Sequence, residues 1–154
     1  MRNRISAGVV AALALGACGP SKPDPDNSYE ITVTGTTNTC TTDTTGYLEV
    51  FQYDLYFDGA AVEIDVDDVP MATGSISGCK IEYTTATWLE DRPNDTYLRW
   101  YMEGTAKYQG LAGGCVDDGL DWDGTETITV SESSDPDVTA GCTYTMTAQG
   151  TLVQ

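Results

Sequence analysis

Residues 51–66, FQYDLYFDGAAVEIDV, decide the fold class of this chain because they hold two alternating segments separated by a turn signal. In the second segment Val62, Ile64 and Val66 alternate with acidic residues, which is the period of a strand that buries one face. The Asp-Gly pair at 58–59 is typical of a tight β-hairpin. The stretch therefore predicts two antiparallel strands.

The same alternation recurs along the chain after residue 28. It predicts eight strands, at 29–35, 47–57, 60–66, 71–76, 79–90, 97–108, 125–131 and 142–152. Most of them have one apolar face and one face rich in threonine and acids, so the sheet must hide a single face by closing or by packing on a second sheet. Short connections and the strand count favour an all-β, closed or nearly closed barrel of antiparallel strands, with a β-sandwich as the alternative.

The first 17 residues differ in character from the rest of the chain. Arg2 and Arg4 precede a mainly apolar run at 5–17. That run is too short to cross a bilayer, which takes roughly 20 apolar residues. A basic start, an apolar stretch and a small-residue end predict a secretory signal peptide at 1–17.

The end of this segment, Leu15, Gly16, Ala17 and Cys18, resembles the lipobox of bacterial lipoproteins. The resemblance implies cleavage before Cys18, a diacylglycerol on its thiol and a fatty acid such as palmitate on the new amino terminus. Several acyl chains anchor a protein firmly, whereas one holds it only marginally. Gly19 stands where an aspartate signals inner-membrane retention in this class, so the resemblance favours a cell-envelope location at the outer membrane.

The mature chain has the length and charge of one acidic domain. Cleavage leaves 137 residues with five basic against 24 acidic side chains, a formal charge of −19. Nucleic acids and anionic lipid headgroups are repelled by such a surface, which leaves cations or basic proteins as the charged partners it attracts. We expect a secreted monomer with a single all-β domain at 29–154.

Residues 18–28 contain three prolines and no hydrophobic periodicity. They predict a flexible linker after the lipidated cysteine, which at about 3.1 Å per residue lifts the domain by up to ~30 Å.

Four further cysteines, Cys40, Cys79, Cys115 and Cys142, occur in a chain that we expect to be exported. An even number in an oxidising compartment predicts two disulfides. In an up-and-down barrel the loops alternate between the two ends, which pairs Cys40 with Cys142 and Cys79 with Cys115. A Greek-key order would remove this argument.

The sequence offers little catalytic equipment, and we predict a protein that is not an enzyme and binds no cofactor. There is no histidine, which removes the usual proton shuttle and nucleophile activator. Paired carboxylates remain the alternative, with Glu49 and Glu126 as the two acids on inward strand positions. Asp117, Asp121 and Asp123 are a weak calcium candidate, set against a solvated acidic turn.

Aromatic residues on inward positions suggest either a packed core or a lipocalin-like cavity for a small apolar ligand. These residues are Phe51, Phe57, Tyr83, Trp100, Tyr108 and Tyr144. Trp88 and Trp122 are assigned to an outer face and a loop, where they could form a partner-binding patch. The sequence favours an envelope lipoprotein with a non-enzymatic interaction or structural role, and a carrier of an apolar ligand is the alternative.

The first testable prediction concerns maturation of the amino terminus. Intact mass spectrometry of the protein purified from membranes should give the mass of residues 18–154 plus acyl chains. Reduction should raise that mass by about four hydrogens, because two disulfides open. A chain that begins at Met1, or at another residue without lipid, would contradict the anchor.

Overall fold

The computed structural model describes residues 22–40, 48–110, 113–114, 116 and 119–153. Within these ranges the regular structure is all β. The strands are β1 (Asn27–Asn38), β2 (Leu48–Asp58), β3 (Ala61–Val66), β4 (Val69–Ser77), β5 (Lys80–Thr85), β6 (Trp88–Arg92), β7 (Thr96–Gly110), β8 (Gly113–Gly114), β9 (Trp122–Ser133) and β10 (Thr143–Leu152). The described residues include no helix that is long and apolar enough to cross a membrane.

Eight of these strands form a closed antiparallel barrel, which confirms the predicted fold class. The sheet order is β5-β4-β3-β2-β1-β10-β9-β7, and pairing of β5 with β7 closes the ring. Consecutive strands are neighbours throughout, so the barrel is an up-and-down meander. β6 and the two-residue β8 pair with β7 outside this ring.

Three successive hairpins have two-residue loops, which sets the register of β2 to β5. Asp58 pairs with Ala61, Val66 with Val69 and Ser77 with Lys80 across the loops. Asp67 and Asp68 in the second loop both have positive φ, 49° and 66°. Two left-handed residues match the twist of a two-residue hairpin, and aspartate tolerates that conformation.

The predicted strand 79–90 is divided in the structure. β5 ends at Thr85, whose hydroxyl accepts a hydrogen bond from the backbone N–H of Met102 at 2.9 Å, and β6 begins at Trp88. The two residues between them break the alternation. Leu89, which the sequence places inward, is therefore 58% exposed.

Toward the end of the barrel opposite Cys40 and Cys142, the interior is packed around Trp122, which is fully buried. Its ring lies 5.3 Å from Tyr29, 5.9 Å from Tyr53 and 6.1 Å from Tyr83, measured between centroids. The assignment of Trp122 to a loop was wrong because β9 begins at this residue, three positions before the predicted strand. Neighbouring aspartates and a glycine hide the strand start in the sequence.

The segment before β1 lies against the barrel, so the linker predicted at 18–28 does not extend freely from Lys22 onward. Lys22 Nζ contacts both carboxylate oxygens of Asp65 at 2.7 Å and lies 3.7 Å from the centroid of the Tyr56 ring. The backbone N–H of Asp26 donates to the carbonyl of Leu55. Asp65 has the outward parity that the sequence predicts, but the ion pair with Lys22 covers it to 3% exposure.

The disulfide between Cys40 and Cys142 joins the ends of the two terminal strands, as predicted. Cys40 follows β1, Cys142 precedes β10, and these strands are paired at the seam of the barrel, with 4.9 Å between the two Cα atoms. Cys79 is also disulfide-bonded. Its expected partner Cys115 lies outside the described residues, so that pairing stays a prediction.

We predict that the double substitution Cys40→Ser/Cys142→Ser lowers the free energy of unfolding by about 2–4 kcal/mol, because a loop this long gains much entropy once its crosslink is lost. Urea denaturation without reductant measures the effect. The unsubstituted protein after full reduction, which opens both predicted bridges, is the comparison and should lose at least as much. An unchanged urea midpoint in the double variant would contradict a stabilising role for the Cys40–Cys142 disulfide.

Candidate functional site

A cavity of about 290 Å³ occupies one half of the barrel interior. Its lining residues are Val33, Phe51, Tyr53, Val66, Met71, Met102, Glu126, Ile128, Tyr144 and Met146. One end of the barrel holds Cys40, Cys142 and the β3–β4 turn, and it is here called the Cys40 end. The half-buried lining residues lie toward this end, as the strand directions show; they are Phe51, Val66, Met71, Ile128 and Tyr144. The cavity therefore opens toward the Cys40 end and is closed below by buried side chains.

Glu126 lies at the inner limit of the cavity and is 1% exposed. Its Oε1 accepts hydrogen bonds from the hydroxyl of Tyr53 at 2.8 Å and from that of Tyr83 at 2.7 Å. Among the described residues, none donates a hydrogen bond to the other carboxyl oxygen, Oε2. These three side chains are here called the tyrosine–carboxyl cluster, and within the described ranges both of its tyrosine hydroxyls donate to the same oxygen of the acid.

The fold brings the cluster together from three separated strands. Gly104 is the direct neighbour of Tyr83 on one side and of Glu126 on the other. A Cβ at Gly104 would overlap the ring of Tyr83, so the glycine leaves the space through which this ring reaches the acid. Tyr53 comes from β2, which is not a neighbour of β9, and its hydroxyl reaches Glu126 across the lumen.

Burial dominates the protonation of the cluster. It raises the pKa of the Glu126 carboxyl group above its ordinary value, while the hydrogen bonds from Tyr83 and Tyr53 partly oppose that rise. Burial and the neighbouring Glu126 raise the pKa of both tyrosine hydroxyls well above their usual range. Both hydroxyls therefore stay protonated donors at physiological pH, and Glu126 is the group that titrates.

Two of the six aromatic residues predicted to line a cavity do so, Phe51 and Tyr144. Tyr83 lies just below the cavity, bonded to Glu126. The other three pack elsewhere: Phe57 and Tyr108 contact each other with centroids 6.1 Å apart, and Trp100 belongs to a second cluster. These three side chains face inward as predicted, but they lie at other levels along the barrel axis than the cavity does.

Trp100 belongs to a small second core at the Cys40 end. This core consists of Leu98, Val130, Val138 and the disulfide cysteines Cys40 and Cys142, with Trp100 against it. Trp88 stacks on Trp100 at 6.0 Å with an interplanar angle of 12°, and is 37% exposed. Trp88 and Trp122 therefore form no common patch.

Sequence reasoning missed the methionines of the cavity. Met71, Met102 and Met146 line it, and they are all the methionines of the chain after Met1. Methionine is flexible and polarisable, and it is common where a binding surface must adapt. Their inward strand parity was a usable signal, but parity alone does not separate lining residues from packed ones.

The paired-carboxylate candidate is not assembled in the described structure, and the calcium candidate lies partly outside the described residues. Glu49 is exposed and is not among the residues that line the cavity with Glu126. Asp121 accepts a hydrogen bond from the backbone of Leu152, and Asp123 accepts one from Gln149. No metal-ligand cluster occurs in the part of the chain that the structure describes, and Asp117 lies outside it.

Exposed apolar side chains gather near the opening of the cavity. Leu48 and Val50 begin β2 at the Cys40 end and are 68% and 51% exposed. Val69 begins β4 at the same end and is 53% exposed. The outer rim of the opening is thus partly apolar.

No family model, curated protein or solved structure matches this chain. The geometry of the cavity is therefore the basis for inferring the function.

We predict that Glu126→Gln changes how stability depends on pH. The folded-state pKa of Glu126 lies above its unfolded value, so this group stabilises the fold at acidic pH and that contribution is lost as pH rises through the folded-state pKa. A carboxamide does not titrate. The free energy of unfolding of the variant minus that of the wild type should therefore grow between about pH 4 and pH 8.

Urea denaturation across this pH range measures the difference. Glu103→Gln is the matched control, because it removes an exposed carboxyl group from the outer face of β7. The difference in free energy of unfolding between Glu103→Gln and the wild type should not grow with pH in this way. A difference for Glu126→Gln that stays flat or falls with pH would contradict burial of the acid.

Proposed function

We propose that this protein is a membrane-tethered binding protein that holds a small, mainly apolar ligand in its barrel. The observation that carries the proposal is the cavity of about 290 Å³ with apolar and methionine walls and a single buried carboxyl group at its inner limit. Ligand sites are typically concave and apolar, with a few placed polar groups that orient the ligand.

The size of the cavity limits the ligand. Water occupies about 30 Å³ per molecule in the liquid, so a volume of 290 Å³ corresponds to roughly ten non-hydrogen atoms. Small straight-chain or monocyclic compounds fall in this range.

The proposed role is non-catalytic. Glu126 is the one acid among the described residues that line the cavity. Hydrolysis by paired carboxylates needs a second acid within roughly 5–10 Å. A single acid with two tyrosine donors fits ligand orientation better than acid–base turnover.

The resemblance of residues 15–18 to a lipobox supports tethering, and it implies a cell-envelope location that favours the outer membrane. Lys22, which is four residues after Cys18, is held on the barrel by Asp65. Four residues span at most about 14 Å, so an acylated Cys18 would keep the barrel close to the lipid surface.

An interaction role without a ligand is the second candidate function. The exposed apolar residues Leu48, Val50 and Val69 favour it, because such side chains at one end of a domain are typical of a contact surface.

The test uses the mature sequence with Cys18→Ser, so that no acyl chain competes for the cavity. We predict that straight-chain primary alcohols bind one per protein, with affinity rising roughly fourfold per methylene, as expected at about 0.8 kcal/mol each. The rise should stop once the chain fills the cavity. Isothermal titration calorimetry measures both.

Ile128→Trp places a large ring in the cavity wall and should abolish alcohol binding. Val50→Trp makes the same kind of change on an exposed position and should bind like the parent. Absence of binding in the folded parent protein would contradict the carrier role and leave the interaction role as the better-supported function.

A further inference from the structure

The buried acid of the cavity has no countercharge among the described residues around it. None of the described lining residues is basic. The cationic side chains nearest the Cys40 end are already paired, Arg92 with Glu90 and Asp135, and Arg99 with Glu132. A buried carboxylate without a paired cation is costly, and in the described part of the chain two tyrosine hydroxyls offset that cost.

The arrangement of those hydroxyls leaves one oxygen for a ligand. Both Tyr53 and Tyr83 donate to Oε1, so Oε2 of Glu126 has no donor among the described residues although the side chain lines the cavity. A ligand with a positively charged N–H group would supply the missing donor and the missing charge together. Charge-assisted hydrogen bonds of this kind are about twice as strong as neutral ones.

The opening of the cavity is also acidic. Glu49 is exposed near the start of β2, and Asp67 and Asp68 form the β3–β4 turn at the same end. The whole chain carries a formal charge of −17. A negative field over an opening raises the local concentration of cations and lowers that of anions.

We infer that the cavity selects an apolar amine, whose ammonium group donates to Oε2 of Glu126 and whose hydrocarbon part lies against Met102, Met146 and Ile128. This inference rests on the proposed function, since it names the ligand class of the same cavity. Fatty acids and other apolar anions are excluded as good ligands, because they would place a second negative charge beside Glu126.

The inference also sets a pH dependence. Burial favours the neutral form of Glu126 in the empty cavity, and an ammonium group binds the ionised form, so amine affinity should rise with pH while Glu126 loses its proton. The charged or titratable groups that face Glu126 are Tyr53 from β2 and Tyr83 from β5, which stay protonated in this range. Its direct neighbours on β7 and β10, Gly104 and Met146, carry no charge.

The test compares three probes of equal chain length, 1-aminooctane, 1-octanol and octanoate, by calorimetry on the mature sequence with Cys18→Ser. At about pH 8 the amine should bind at least tenfold more tightly than the alcohol, and octanoate more weakly than either. Between about pH 5 and pH 8 amine affinity should increase and alcohol affinity should stay constant, because an alkylammonium, like lysine, titrates only near 10.4.

Glu126→Gln should remove both the preference for the amine over the alcohol and the rise of amine affinity with pH, because a carboxamide carries no charge and does not titrate. Glu103→Gln, which removes one carboxyl group from the outer face, should change neither.

Equal affinity for amine and alcohol at every pH, or tighter binding of octanoate, would overturn the amine inference and leave the carrier function standing. Failure of all three probes to bind would instead overturn the proposed function. If Glu126→Gln does not fold, the pH dependence of the parent protein decides between these outcomes.

Discussion

The hydrogen bonds from Tyr53 and Tyr83 to Glu126 determine how the inside of this barrel is organised. An acid at the centre of an apolar barrel costs several kcal/mol unless donors surround it. The two donors come from β2 and β5 and meet the acid of β9, so the cluster connects walls that share no backbone pairing. Gly104 is part of the same constraint, because any side chain there would displace the ring of Tyr83.

The tyrosine–carboxyl cluster also separates a packed part of the barrel interior from the part that holds the cavity. Below it, the ring of Trp122 fills the space among tyrosines and small side chains, as close packing requires. Above it, methionines and partly exposed aromatic residues leave a cavity. The seam disulfide lies at this open end, where it packs with Leu98, Val130 and Val138.

A buried carboxyl group is expensive where a hydrophobic residue of similar size would stabilise the fold. Buried titratable groups with shifted pKa values are for that reason concentrated at functional sites. Glu126 combines such a shift with a place in the lining of an apolar cavity, where the described residues donate hydrogen bonds to one of its two oxygens.

The sequence by itself determined the all-β class, the number of barrel strands and the hairpin at Gly59, because strand alternation and turn residues are local signals. Loop parity pairs Cys40 with Cys142 only in an up-and-down order, and the tertiary structure supplies that order. The sequence also put Glu126 on the inward face. Only the tertiary structure decided that Glu126 meets two tyrosines, that Trp122 fills the lower half and that Phe57 and Tyr108 lie outside the cavity. Alternation tells which side of a sheet a residue faces. The level at which side chains from distant strands meet depends on the stagger of the strands in the closed barrel, which no local pattern records.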